Sequence, residues 1–253
     1  MLTKAKWGFI LLVILINTGV VMAQGKGLNV IYIGDSITAG AGISDAADNP
    51  TVVAINVLQK AGYSSVQGSN QGHSGYTTLD FLPGTNAFEQ VENAANGFQG
   101  SASELVFSIM LGTNDSAIRG PHGSPVSPEN YARNLRTIID QLLKNQPGCK
   151  VVIQHPLWYS PNTYNGAMYL QEGLDRLQSY FPQIDQLVAY YATKRKGRVF
   201  LGDTDAFDFF KTHFMDSFQA EQGNKGIFYL HPNVSGAKAL GEFWAKAIAR
   251  VIR

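Results

Sequence analysis

Short apolar runs rich in β-branched residues alternate with amphipathic segments along this chain, and this alternation constrains the fold most strongly. Four such runs lie at residues 30–33, 105–111, 151–153 and 199–201. Each is too short for a helix and is typical of a strand buried on both faces. A fifth strand is predicted at residues 64–71, where Gly68 weakens the pattern.

Helical periodicity separates these strands. Five amphipathic helices are predicted at residues 51–61, 128–145, 167–180, 184–196 and 236–252. Strands that alternate with helices imply right-handed crossovers and a parallel sheet covered by helices on both sides. The fold class is therefore α/β. The loops at residues 116–127 and 158–166 follow the third and fourth of the five predicted strands, where open α/β sheets bind ligands.

The first 23 residues are typical of a secretory signal. Lys4 and Lys6 precede an apolar stretch, and a small residue, Ala23, stands at the predicted cleavage site. The alternative is an uncleaved membrane anchor, but the apolar core of about ten residues is short for a bilayer that needs about 20. We therefore predict export to the periplasm or the medium without a stable membrane anchor, and one domain over residues 24–253.

The charge and the cysteine content limit which classes of ligand and cross-link the chain is expected to have. The signal holds two of the 20 basic residues and none of the 19 acidic ones, so the mature chain carries a formal charge of about −1. This balance argues against a nucleic-acid partner. Cys149 is the single cysteine and has no partner for an internal disulfide. No metal site is predicted, since no two histidines have metal-site spacing; no cofactor and no protein partner are indicated.

Gly34-Asp35-Ser36 follows the first strand directly, and this position suits a nucleophile. A serine between a strand and a helical turn directs its backbone N–H toward the site of a developing oxyanion. Taken alone, the tripeptide is also a common turn. A phosphate-binding loop does not fit, because neither the Gly-Lys-Ser/Thr pattern nor a third glycine follows. We assign Ser36 as the candidate nucleophile and Asp35 to turn hydrogen bonding.

Two further segments supply candidate oxyanion donors. Gly75 ends a polar, glycine-containing stretch after the weaker strand, and its backbone N–H is a candidate donor, with Gly72 as the alternative. Asn114 follows the most hydrophobic strand and offers a side-chain amide. Asp115, next to it, is assigned to structure.

His231 precedes the last predicted helix and is the candidate general base. Three histidines are assigned structural or surface positions: His73, His122 and His213. His155, at the end of the fourth strand, is a candidate for the wall of the pocket.

These four blocks, in this order, resemble the SGNH hydrolase superfamily, also called the GDSL esterase/lipase family. The resemblance implies a flavodoxin-like three-layer α/β/α sandwich. It also implies that Ser36 is the nucleophile, that His231 is the base, and that Gly75 and Asn114 join the Ser36 N–H in the oxyanion hole.

One position departs from the family pattern. The family usually has an aspartate three residues before the histidine, whereas this chain has Phe228. Three hypotheses follow: a Ser-His dyad with a backbone carbonyl orienting His231, an acid from elsewhere such as Asp216 or Glu221, or an inactive relative. We favour the dyad, because an acetyl ester is far more reactive than an amide and a carbonyl can fix the imidazole tautomer.

Exported relatives without a lipid anchor often resemble carbohydrate esterases, so the expected substrate is an O-acetylated polysaccharide or glycan sugar. Trp158, Tyr159 and Tyr164 are candidates for sugar stacking. Arg119 is a candidate for binding a substrate carboxylate, as in a sialic acid ester, although a solvated surface arginine is the plainer interpretation. The alternatives are a lipase or thioesterase on acyl chains and a catalytically inactive glycan-binding protein.

Overall fold

The computed structural model describes residues 26–252, so the predicted signal at residues 1–23 lies outside the described residues. Five parallel strands form the central sheet in the order β2-β1-β3-β4-β5. They are β1 (Leu28–Gly34), β2 (Val66–Gly72), β3 (Glu104–Met110), β4 (Lys150–Ile153) and β5 (Val199–Leu201). All seven residues of β1 are buried, as expected of a strand covered on both faces. The sheet confirms the predicted α/β class.

The weakly predicted fifth strand is β2, and Gly68 does not interrupt it. A Cβ on Gly68 would lie 2.4 Å from Cδ1 of Ile55, so the side chain of the neighbouring helix occupies that space. The glycine is therefore a packing contact within the strand.

Helices surround the sheet. They are α1 (Ser36–Ala39), α2 (Pro50–Lys60), α3 (Asn86–Asn96), α4 (Pro128–Asn145), α5 (Leu170–Ser179), α6 (Phe181–Lys194), α7 (Ala206–Thr212), α8 (Phe214–Ser217) and α9 (Val234–Val251), with single 3₁₀ turns at Ala46–Asp48 and Thr78–Phe81. The five predicted helices are α2, α4, α5, α6 and α9. The main differences are at α5, which begins at Leu170 rather than at residue 167, and at α6, which begins at Phe181 rather than at residue 184.

Local sequence explains how the larger helices begin and pack. The side chains of Asn49 and Ser127 cap α2 and α4, and a proline follows each cap at the first helical position. α2 packs closely on α9, where a Cβ on Gly241 would lie 2.7 Å from the Pro50 carbonyl oxygen. Only a glycine lets these two backbones approach so closely.

A two-stranded antiparallel hairpin, β6 (Glu221–Gly223) and β7 (Gly226–Phe228), lies outside the main sheet and was not predicted. Its register places Glu221 directly opposite Phe228. Directly opposed residues of an antiparallel pair project from the same face. The hairpin therefore presents the Glu221 carboxyl beside the position where the family pattern has its aspartate.

The sheet order fixes where the functional loops meet. Chain order reverses beside β1, which lies between β2 and β3, and such a switch point is where open α/β sheets bind ligands. The strand ends are in register, since Gly34 pairs with Gly72 and with Met110. The segments after these three strands carry Ser36, Gly75 and Asn114. Within residues 26–252, no helix has the length and apolarity to cross a membrane.

Candidate active site

Ser36 is the first residue of α1, directly after β1. The Asp35 side chain caps the helix by accepting a hydrogen bond from the Ile37 N–H at 2.9 Å. The N–H groups of the first helical turn have no partner inside the helix, so the Ser36 N–H is available to a ligand. Ser36 lines a cleft of about 700 Å³ at the carboxyl edge of the sheet.

His231 lies within hydrogen-bond distance of Ser36. Its Nε2 is 3.0 Å from the Ser36 Oγ, although 195 positions separate the two residues in the chain. Its Nδ1 is 3.0 Å from both carboxylate oxygens of Glu221. Glu221 Oε1 also accepts the backbone N–H of His231 at 3.1 Å. This geometry leaves Nε2 facing the serine as a proton acceptor.

The preference for a Ser-His dyad oriented by a backbone carbonyl is therefore wrong about the partner of His231. A carboxylate, not a carbonyl, occupies the Nδ1 side of the ring. Of the two acids considered, Glu221 makes this contact, whereas Asp216 lies in α8. The physical reason is the hairpin. The pairing of its strands places Glu221 beside Phe228, and from there the Glu221 carboxylate contacts the imidazole of His231.

The Asn114 side chain is fixed at both ends. Its Nδ2 donates to the Tyr76 carbonyl at 2.9 Å, and its Oδ1 accepts from the Tyr169 hydroxyl at 2.7 Å. A carbonyl can only accept, so these contacts determine which end of the amide is nitrogen. The second N–H of Nδ2 remains for a ligand in the cleft that Asn114 lines.

Gly75 also lines the cleft, with a backbone φ of +82°. A Cβ at this position would meet only Pro121, at an ordinary 3.5 Å, so the conformation and not the space requires glycine. The alternative, Gly72, is excluded from the role by its packing: its N–H donates to Asn70 Oδ1 at 2.9 Å, and a Cβ would lie 2.3 Å from the Ala39 nitrogen.

Asp115 connects the two loops that carry Gly75 and Asn114. Its carboxylate accepts from the Thr78 N–H at 3.0 Å and from the Thr78 hydroxyl. Asp35 and Asp115 are fully buried, and burial raises their pKa values to about 6 and about 7 respectively. Both make the structural hydrogen bonds expected of them, but Asp115 bonds across to a second loop rather than within its own turn.

Two residues predicted to bind substrate do not line the cleft. His155 stacks on Phe181, with ring centroids 4.4 Å apart, and its Nε2 lies 3.3 Å from Asp185 Oδ1. Burial lowers its pKa. Trp158 is buried against Phe214 and Phe218. Both side chains complete hydrophobic packing beneath the loops, which a sequence without its fold does not reveal.

Arg119 lines the cleft, together with residues of the two loops at 116–127 and 158–166. Its guanidinium donates to the Tyr164 hydroxyl at 3.2 Å. Tyr159, in contrast, is buried and bonded to Ser116. Of the three aromatic candidates, Tyr164 is the one bonded to the Arg119 guanidinium.

The remaining histidines lie elsewhere. His73 stacks on Tyr76, His122 pairs with Asp80 at 2.6 Å, and His213 contacts the Phe209 carbonyl. Within residues 26–252, no three His, Cys, Asp or Glu side chains are grouped as metal ligands would be.

Tyr169 is a site residue that the sequence did not indicate, and Glu221 was named only as one of two alternative acids. Gly223-Asn224-Lys225-Gly226, between two short runs, is a usable hairpin signal for Glu221. No local signal identifies Tyr169, because its partner lies 55 residues away.

Comparison with known proteins adds to this geometry. The model of the GDSL-like lipase/acylhydrolase family matches residues 32–239. No curated protein shows significant sequence similarity to the chain.

Solved structures with the same fold include a carbohydrate acetylesterase from Sinorhizobium meliloti, at 18% identity and a TM-score of 0.58 over 88% of this chain and 99% of that one. A lipase/acylhydrolase from Enterococcus faecalis gives 18% and 0.59 over 87% and 95%. The M. smegmatis aryl esterase gives 17% and 0.57 over 88% and 99%.

Proposed function

Because the chain belongs to the GDSL-like lipase/acylhydrolase family and is a carboxylic ester hydrolase, we propose that it removes O-acetyl groups from carbohydrate through an acetyl-enzyme. The observation that carries this proposal is the continuous hydrogen-bonded series from Glu221 through His231 to Ser36, which opens onto a cleft shared with Gly75 and Asn114. These are the nucleophile, base and oxyanion donors that acyl transfer requires.

In the proposed reaction, His231 Nε2 takes the Ser36 proton as Oγ attacks the acetyl carbonyl. The Ser36 and Gly75 N–H groups and the Asn114 amide stabilise the tetrahedral oxyanion. Glu221 holds the imidazole and stabilises its protonated form. His231 then protonates the departing sugar oxygen, and the C–O bond breaks. Water, deprotonated by the same nitrogen, cleaves the acetyl-enzyme and regenerates Ser36.

The walls of the cleft favour a small acyl group and a polar alcohol. Ser74, Asn114 and Asn165 provide polar surface, and Ala41, Pro121, Ala167 and Leu230 provide apolar surface. The exposed large apolar side chains among the described residues, Met215, Ile227 and Val234, do not line it. A long acyl chain would need an extended apolar wall or lid.

The S. meliloti structure, which is named a carbohydrate acetylesterase, supports the choice of substrate class by analogy of fold. The predicted signal at residues 1–23 would place the activity outside the cytoplasm.

The test is acetate release by the mature protein from 4-nitrophenyl acetate and from acetylated oligosaccharides, beside 4-nitrophenyl decanoate and an acyl thioester. Ser36→Ala and His231→Ala are the essential variants, and Glu242→Gln, an exposed carboxylate on α9, is the matched surface control. We expect acetate release that both active-site variants abolish. Faster cleavage of decanoate or thioester would favour the lipase or thioesterase alternative, and a folded protein that only binds the oligosaccharides would favour the inactive one.

A further inference from the structure

Arg119 is an unpaired cation on the wall of the cleft. No ion pair among residues 26–252 involves its guanidinium. None of the described side chains that line the cleft is a carboxylate, and Arg119 is the one that carries a permanent charge. The nearby acid Glu221 contacts the far side of the His231 ring. The cleft wall therefore presents one positive charge without a counter-charge of its own.

Hydrogen bonds fix both the backbone and the side chain of Arg119. Arg119 and Met168 exchange two main-chain hydrogen bonds: Met168 N donates to the Arg119 carbonyl at 2.7 Å, and Arg119 N donates back at 3.2 Å. The Tyr164 hydroxyl then accepts from the guanidinium Nη2 at 3.2 Å. A solvated surface arginine needs neither constraint. One donor of the guanidinium is engaged, and four of its five N–H groups remain for a ligand.

We propose that Arg119 binds a carboxylate on the substrate, so that the site is selective for O-acetyl esters of acidic sugars. This inference rests on the proposed acetylesterase function and names its substrate class. A guanidinium matches a carboxylate with two parallel N–H···O bonds, which gives orientation as well as attraction. The sugar carboxylate would fix the register of the ring, and an acetylated hydroxyl would then be presented to Ser36.

The size of the effect follows from the exposure of Arg119. A hydrogen bond to a charged group contributes most when it is desolvated, whereas a fully exposed ion pair contributes little. Arg119 is exposed, and a sugar that occupies the cleft would cover part of it. We therefore expect kcat/KM for an acidic sugar ester to exceed that for its neutral counterpart by about tenfold at low salt. Screening should reduce this preference at about 0.5 M NaCl.

The experiment compares matched esters. The substrates are mono-O-acetylated methyl glucuronoside, the corresponding glucuronamide and glucoside, and O-acetylated sialic acid, with acetate as the product measured. Arg119→Gln removes the charge and Arg119→Lys keeps it without the planar fork. Arg133→Gln, an exposed arginine in α4 bonded to Asn130, removes the same charge away from the cleft.

The expected result is a wild-type preference for at least one acidic ester, lost in Arg119→Gln, partly kept in Arg119→Lys and intact in Arg133→Gln. The two acidic arms tell which sugar acid is preferred. The inference is overturned if the wild type hydrolyses acidic and neutral esters equally, or if Arg119→Gln keeps the preference in a protein with wild-type circular dichroism. Failure of the underlying function looks different, because Ser36-dependent cleavage of 4-nitrophenyl acetate would then be absent as well.

Discussion

Replacing Glu221 by Gln tests the least expected feature of the site. The substitution preserves size and removes the charge that lies 3.0 Å from His231 Nδ1. At an effective dielectric constant of about 20, two unit charges about 3 Å apart interact by about 5 kcal/mol. The side chains of His231 and Glu221 are 17% and 24% exposed, so solvent reduces this value.

We therefore expect Glu221→Gln to lose about 3–5 kcal/mol of transition-state stabilisation, a decrease in kcat of about 10²- to 10⁴-fold. The upper limit equals the loss measured when the carboxylate of a serine protease triad becomes an amide. KM should change little, because Glu221 contacts the base and does not line the cleft.

The assay is steady-state hydrolysis of 4-nitrophenyl acetate with Glu221→Gln, Glu221→Asp and the surface control Glu242→Gln. A positioning role predicts that Glu221→Gln adds almost nothing to the loss in His231→Ala, because the two residues act as a unit. The reasoning is refuted if folded Glu221→Gln stays within about twofold of the wild type while His231→Ala is inactive. A neutral orienting group would then be sufficient.

Two further predictions concern the oxyanion amide and the buried acid. Tyr169→Phe removes the donor to Asn114 Oδ1, and we expect kcat to fall by about five- to tenfold with unchanged KM, in the same 4-nitrophenyl acetate assay; an unchanged kcat would show that the Tyr76 carbonyl alone positions the amide. Burial raises the pKa of Asp35 to about 6 in the folded protein, so the folded state holds that proton more tightly. The contribution of Asp35 to stability is therefore greatest below about pH 4 and is lost as the pH rises to about 6, by up to about 3 kcal/mol. Urea unfolding at pH 4 to 7 should show this loss in the wild type and a flatter profile in Asp35→Asn; parallel profiles would contradict it.

The sheet and most helices were predictable because their signals are local. A strand buried on both faces needs a continuous apolar run, and residues 105–111 provide it. Helix α4 shows its apolar stripe and its Ser127 cap in the sequence itself. Helix α3 was missed although Phe88 and Val91 mark its buried face and Thr85 caps it. The nucleophile, base and oxyanion positions that the four blocks indicate are brought together by the structure, and their roles remain predictions.

The partner of His231 was not predictable in the same way. Strands of three residues have no useful periodicity, and the contact between Glu221 and the ring depends on the register of the hairpin. His155 and Trp158 show the reverse error. Both follow strand β4 in the chain, but whether such a side chain turns toward the cleft or into the core is decided by what packs against it, here Phe181 and Phe214.

Because the acid lies on the hairpin, the position of the Glu221 carboxylate beside His231 depends on the loop at residues 158–166. Asn162 Nδ2 donates to the Ile227 carbonyl at 2.7 Å, and the Asn224 N–H donates to the Tyr164 carbonyl at 2.7 Å. The hairpin that carries Glu221 is thus bonded to the loop whose Tyr164 hydroxyl contacts Arg119. An acid three residues before the histidine would belong to the same segment as the base and need no such support. In this chain, the loop that carries Tyr164 beside Arg119 and the hairpin that carries Glu221 are joined by these hydrogen bonds, so a variant that breaks them is expected to alter the position of Glu221.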